Sequence, residues 1–199
     1  MDVSRVGFLS LLVLVGALRL FELGISARNR RRLLGRGIAT VTDRGFVWMV
    51  ALHAGVLMAA ALEVAILNRP FLPVLGAVML AVLLLANGLR WWAIRALAHH
   101  WNVGVMASTS LGVVSSGPYL FVRHPNYAAV FVELIVLPLV HTAWITAVVA
   151  ACVHTVILRG RIAVEENSLL VDPAYGAAMG GKPRFVPRWS DVARRWAAR

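Results

Sequence analysis

Cysteine is nearly absent. Cys152 is the single cysteine in 199 residues, which excludes an intramolecular disulfide and a thiolate metal cluster. Charge is scarce too, at 15% of residues against the roughly 25% of a soluble globular domain. Acids are the scarcer sign: nine Asp and Glu stand against twenty Lys and Arg, for a net charge of +11. The six histidines (His53, His99, His100, His124, His141 and His154) form no HExxH or similar ligand spacing, so no metal is expected. No Gly-x-Gly-x-x-Gly follows a strand pattern, which argues against a soluble dinucleotide-binding fold. The chain has no internal repeat and no low-complexity segment.

Apolar residues take the place of what is missing. They make up 60% of the chain, and the mean hydropathy is +0.76. This composition argues against a soluble, a disordered or a collagen-like protein. The basic residues cluster beside apolar runs instead of spreading over a reading surface, so nucleic acid is not expected as a partner. Such clustering marks the cytoplasmic face of a membrane protein.

The first apolar run, 6–25, is about long enough to cross a bilayer core, which takes roughly 20 helical residues. It is too long for the apolar core of a secretory signal and reads as a retained span. Arg19 and Glu22 stand three apart near its end and can pair on one helix face, as a snorkelling pair at the interface would. A basic loop, 28–45, follows, with Arg28, Arg30, Arg31, Arg32, Arg36 and Arg44 against Asp43. The second span covers 46–67. The third, 71–89, is extended by Arg90, Trp91, Trp92 and Arg95 toward an aromatic belt with Trp101. Gly104, Gly112, Gly117, Pro118 and Pro125 punctuate the less apolar stretch 98–127 with turns.

Two shorter apolar runs, 128–140 and 142–158, break near Pro138 and His141 and read as a tight helical hairpin whose first arm is short for a full span. The tail, 159–199, is polar and basic. The expected fold is all-α: a polytopic membrane protein with about five membrane-embedded helices. Its amino terminus is outside and its carboxyl terminus inside, because the arginine-rich segments fall on one side. Residues 1–97 would hold three spans with the basic loop, and 98–199 the hairpin 128–158 and a cytoplasmic tail.

Chemistry-bearing side chains concentrate after residue 115. Ser116-Gly117-Pro118-Tyr119 and Val122-Arg123-His124-Pro125-Asn126-Tyr127 supply a cation, an imidazole, two phenols and a rigid proline at a membrane boundary. They suit either a charged aromatic ligand or an interfacial turn. Glu165 and Glu166 are adjacent, so on a helix they point about 100° apart: one can face a pocket and the other solvent. The hairpin returns them to the face that holds 123–127. Glu133 and Glu63 lie inside apolar runs, where an ionisable group is costly and a functional candidate by default; pairing with Arg90 or another embedded cation is the alternative for Glu133. His53, His141 and His154 read as packing or hydrogen-bonded residues.

The ordered set Gly117-Pro118-Tyr119…Arg123-His124-Pro125-x-Tyr127, a hairpin, then Arg161-Ile162-x-x-Glu165-Glu166-x-x-Leu169 resembles the isoprenylcysteine carboxyl methyltransferase family. Leu89-Arg90-x-Trp92-Ala93 with Leu97 and Trp101 upstream, and Tyr175 with Pro183-Arg184-Phe185-Val186-Pro187 downstream, extend it to about residues 85–190. Arg19-x-x-Glu22, Ser26-x-Arg28-Asn29 and Leu33-Leu34-x-x-Gly37 resemble a bacterial branch associated with polyketide pathways and alkylpyrone methylation. Ala129 and Ala98 depart from the family's frequent glycines.

The resemblance implies S-adenosylmethionine on the cytoplasmic side, capped by the tail, and a lipid-facing entrance for an oily substrate. It implies a cofactor set of Tyr119, His124, Pro125, Tyr127, Glu165 and Glu166, with Arg123 beside it. The expected activity is methyl transfer to a carboxylate or enol oxygen of a lipophilic molecule, isoprenylcysteine-type or alkylpyrone. Such oxygens are largely ionised near neutral pH, so no strong base is required. Arg90 and Glu133 are the candidate catalytic residues on the acceptor side. The expected partners are that substrate and membrane lipid, and the expected location is a bacterial inner membrane. The alternatives are an NADPH-dependent membrane reductase of the sterol-reductase kind and a non-enzymatic membrane scaffold.

Overall fold

The computed structural model describes residues 2–38, 41, 45–104, 112–191 and 193. Among them six α-helices and two short 3-10 turns, but no strands, are present. The helices are α1 (Val3–Leu34), α2 (Gly45–Ile66), α3 (Pro73–Leu97), α4 (Pro125–Leu139), α5 (Trp144–Leu169) and α6 (Pro173–Met179). Helices α1, α2, α3 and α5 are long and apolar enough to cross a membrane; α4 is apolar but shorter. The all-α fold with four spans and a short hairpin arm is the one expected. Leu14, Phe21, Trp48, Leu62, Leu85 and Val156 are exposed on their outer faces, as contact with hydrocarbon requires.

Helix α1 differs from the expectation. Its 32 residues rise about 48 Å, well beyond a hydrocarbon core of about 30 Å. The arginines expected in a loop begin on this helix: Arg28, Arg30, Arg31 and Arg32 are helical and exposed. Arginine and leucine are good helix formers, so the helix runs on until Gly35 and Gly37, where φ is +77°. Asp43 and Arg44 of the expected loop lie outside the described residues.

The buried residues of α1 recur at alternating steps of four and three: Phe8, Leu12, Val15, Arg19, Glu22, Ser26, Asn29 and Leu33. This single stripe faces the bundle along the whole helix. Its first half joins Ala60 and Val64 of α2, Leu83 of α3 and Leu137 of α4 in the apolar core. Its second half is polar and lines the interior. There Ser26 Oγ accepts from the Val103 amide, and Asn29 donates to the carbonyls of Ala98 and Trp101, which fastens the chain after α3.

Helix α3 packs along α4, and α5 along both α2 and α4. The α4–α5 turn passes through Thr142 at φ +55°, held by its hydroxyl donating to the Pro70 carbonyl at 2.6 Å. Glu63 caps the start of α5: its carboxylate accepts from the Ile145 and Thr146 amides and the Thr146 hydroxyl, and pairs with Arg69. Its intramembrane charge thus joins helices at the end of the bundle remote from the motif residues. His141 packs between Phe8 and Phe71, and His154 stacks on Phe131.

The arginine asymmetry predicts that the basic end of α1 and the tail share one side of the membrane. In a Cys152→Ser background, cysteines at positions 30 and 190 are expected to react with an impermeant maleimide from the same side of sealed vesicles. Labelling from opposite sides would refute this arrangement.

Candidate functional site

One cavity of about 640 Å³ runs through the interior, with a motif end and a deep end. The motif end is built on a glycine. Gly117 has φ +57°, and a Cβ there would stand 2.9 Å from Ala96 Cβ and 3.1 Å from Trp92 Nε1. Only glycine lets 117–120 lie this close against α3. Pro118 and Tyr119 are buried as a result. His124 then caps α4 with Pro125 in its first turn, a position where the missing N–H costs nothing. The amides of Arg123 and His124 instead donate to the carbonyls of Pro183 and Arg184, each at 2.9 Å. The segment 182–185 is thereby strapped across the motif, and Lys182 Nζ adds a bond to the Tyr119 carbonyl at 2.7 Å.

The adjacent carboxylates diverge as helical geometry requires, but neither simply faces solvent. Glu165 lines the cavity and accepts a hydrogen bond from the Tyr127 hydroxyl. Glu166 is turned away into an ion cluster: His124 Nε2 donates to it at 2.9 Å, Arg123 approaches to 3.1 Å and Arg184 to 2.6 Å. Arg161 lies one turn before Glu165. It donates to the Val103 carbonyl and stands over the Tyr127 ring, 5.9 Å from its centroid.

Of the residues expected at a cofactor site, Tyr119, Arg123, His124, Tyr127 and Glu165 line the cavity. Pro125 and Glu166 are not among its lining residues: one shapes the helix start and the other anchors the strap. Asn126, Arg161 and Tyr175, which stand in the motifs without an expected role at the site, also line it, and Met179, which the sequence reading missed, joins them. Arg161 and Glu165 share a helix face by their four-residue spacing, a signal available in the sequence. Burial, reinforced by the Glu165 charge, pushes the Tyr175 hydroxyl up to about 12, and burial likewise raises Tyr119. Both stay protonated near neutral pH and line the cavity as neutral phenols.

The deep end is ionic. Arg19 Nη1 donates to both oxygens of Glu22, at 2.8 and 2.7 Å, and Nη2 to Asn87 at 2.8 Å. Arg90 reaches the same carboxylate through Nε, at 3.0 Å to each oxygen, and through Nη2. The Arg19–Glu22 pair is therefore real but buried, not interfacial; Glu22 is 1% exposed. The reason is its partner, because a second arginine from α3 draws the carboxylate inward. Glu133 approaches Arg19 at 3.4 Å, so the embedded cation it pairs with is Arg19. Arg19, Glu22 and Arg90 line the cavity, whereas Glu133 is not among its lining residues.

Residues 78–171 match the sequence model of the isoprenylcysteine carboxyl methyltransferase (ICMT) family. The matched segment runs from α3 through α5, as the motif order anticipates. The match supports a methyltransferase embedded in a membrane. The chain is also 27% identical over 152 residues to the uncharacterized protein YpbQ of Bacillus subtilis, covering 76% of this chain and 89% of that protein. An uncharacterized protein of Haemophilus influenzae is 29% identical over 154 residues, covering 77% and 89%.

Proposed function

We propose that the chain is an S-adenosylmethionine-dependent O-methyltransferase acting on a carboxylate or enol oxygen of a lipophilic molecule, isoprenylcysteine-type or alkylpyrone. The observation that carries this reading is one continuous cavity that joins a motif end rich in polar groups to an ion-paired deep end. The polar groups of the donor are a carboxylate, an ammonium, a ribose and a sulfonium. The motif end offers a match for them. Arg123 would hold the carboxylate, Glu165 the ammonium, and Tyr119, Tyr175 and Met179 would flank the adenosine. Asn126 Oδ1, buried and without a partner among the described residues, fits a donor group of the ligand. When bound, S-adenosylmethionine supplies a methyl group activated on sulfur.

The protein's own contribution is orientation and exclusion of water. Holding an acceptor oxygen in line with the methyl removes entropy that a bimolecular reaction would have to lose, a gain of several kcal/mol. Arg90 serves as the cation beside the acceptor oxygen, and Glu133 fixes the guanidinium of Arg19 behind it. The reaction takes place at the cytoplasmic face of a bacterial inner membrane, with the acceptor drawn laterally from lipid.

Calorimetry in detergent tests the donor end. Glu165→Gln and His124→Ala are each expected to weaken S-adenosylmethionine binding by about 10- to 150-fold, the equivalent of about 1.5–3 kcal/mol for a hydrogen bond to a charged group. Unchanged affinity in both variants would remove these residues from the site. Tight binding of NADPH in place of S-adenosylmethionine would overturn the methyltransferase reading in favour of a reductase.

A further inference from the structure

His53 lies midway along α2, outside the residues that match the family, and none of the roles above uses it. It lines the same cavity as Arg19, Glu22 and Arg90. Its Nδ1 stands 2.7 Å from the carbonyl oxygen of Met49, one helical turn back. A carbonyl oxygen only accepts, so Nδ1 carries a proton. In the neutral ring this leaves Nε2 as an acceptor. Nε2 is shielded from solvent and has no partner among the described residues. A buried acceptor without a donor is uncommon and calls for a reason.

The charged and titratable groups around the ring are Arg90 from α3 and Arg19 from α1, which share the Glu22 carboxylate, and His154 from α5. Both arginines are cations that favour negative charge on a nearby oxygen. An acceptor lone pair thus stands beside two cations at the wall of a cavity that lies among apolar helices. An acid arriving from hydrocarbon arrives with its proton on, because the bare anion is costly to bury. Something in the cavity must then take that proton.

We propose that His53 is the general base for an acceptor hydroxyl too weakly acidic to ionise unaided, so that the substrate is a weakly acidic lipophilic enol or phenol and not a carboxylic acid. The inference rests on the methyltransferase reading and narrows its substrate class. Nε2 accepts the hydroxyl hydrogen bond and takes the proton as the methyl is transferred. The new O–CH3 bond forms from an oxygen lone pair, and the O–H pair stays on that oxygen. The S–CH3 bond of S-adenosylmethionine breaks with its electrons left on sulfur. The imidazolium then returns its proton to water as product leaves. The methyl ether has no proton to donate, so product binding lacks the hydrogen bond that recognised the substrate.

Two measurements test this on the full chain in nanodiscs. Without methyl donor, binding of a long-chain alkylphenol is compared with that of its methyl ether. His53→Gln and His53→Phe remove the basic nitrogen by polar and apolar routes, so failure of one to insert leaves the other. The preference for phenol over ether is expected to fall about five-fold in the phenylalanine variant. With S-adenosylmethionine, a series of phenols with one tail and falling acidity is turned over. The loss in kcat for His53→Gln is expected to grow to about 100-fold at the least acidic phenol, and to be small for a nitro-substituted phenol already ionised at the assay pH. Equal losses across the series, or an unchanged phenol-to-ether preference, overturn the assignment. A wild-type chain that binds no S-adenosylmethionine overturns the methyltransferase reading and this inference with it.

Discussion

Replacing Glu22 with leucine is expected to destabilise the protein by about 3–5 kcal/mol, because it leaves two buried guanidinium groups facing each other without their shared anion. Arg19 and Arg90 both reach this one carboxylate, and each is less than a tenth exposed. Asn87 is neutral and engages Arg19 alone, so it cannot replace the lost charge. Glu133 at 3.4 Å from Arg19 offsets one cation and not both. Glu22→Gln keeps an acceptor oxygen and is expected to be milder. Thermal unfolding in detergent, followed by circular dichroism, checks the pair of variants. A midpoint unchanged in Glu22→Leu would mean that the network contributes nothing to the fold.

The second large effect is expected at Glu166. Its carboxylate holds His124, Arg123 and Arg184 together, and the side chain is only 7% exposed. Glu166→Ala removes the common anion of three positively charged or donating groups, at a cost again of about 3–5 kcal/mol. On the proposed reading, methyl transfer falls with it, because Arg123 and His124 lose the group that orients them. Arg184→Ala is the informative contrast. That side chain is 51% exposed, and a pair with so much solvent around it contributes about 0–1 kcal/mol. Limited trypsin digestion reads the strap directly. Cleavage after Arg188 is expected to accelerate strongly in Glu166→Ala and only slightly in Arg184→Ala. Equal protection in Glu166→Ala and wild type would show that the backbone bonds to 123–124 hold the strap unaided.

Much of this architecture was legible because a bilayer imposes few solutions on an apolar chain. Run lengths and the Pro138–His141 break were enough to place four spans and a short hairpin arm. The clustering of Tyr119, Arg123, His124 and Tyr127 with Glu165 was legible because a hairpin must return the chain to the side it left. The end of α1 was harder to read. A run of arginines marks where a helix leaves lipid, not where it stops, so the basic loop was started too early. Buried partners were harder still. That Glu22 would bind Arg90 as well as Arg19 depends on α3 crossing α1 at that depth. That Glu63 would cap α5 depends on two turns meeting at the far end of the bundle. His53 is hydrogen-bonded, one of the two readings its place in an apolar run allowed, but which of its nitrogens is engaged is a fact that no spacing contains.

The division of the cavity between two parts of the chain bears on how such a protein adapts. Arg19, Glu22 and His53 belong to the first two helices, whereas Tyr119, Arg123, Tyr127 and Glu165 fall within 78–171. If the first group meets the acceptor and the second the methyl donor, selection can retune the range of acceptors by drift in the amino-terminal third while the donor end is inherited intact. Arg90 is the constraint on that freedom. It is encoded in the inherited segment yet bonded to Glu22, so any new amino-terminal partner must still offer it an anion.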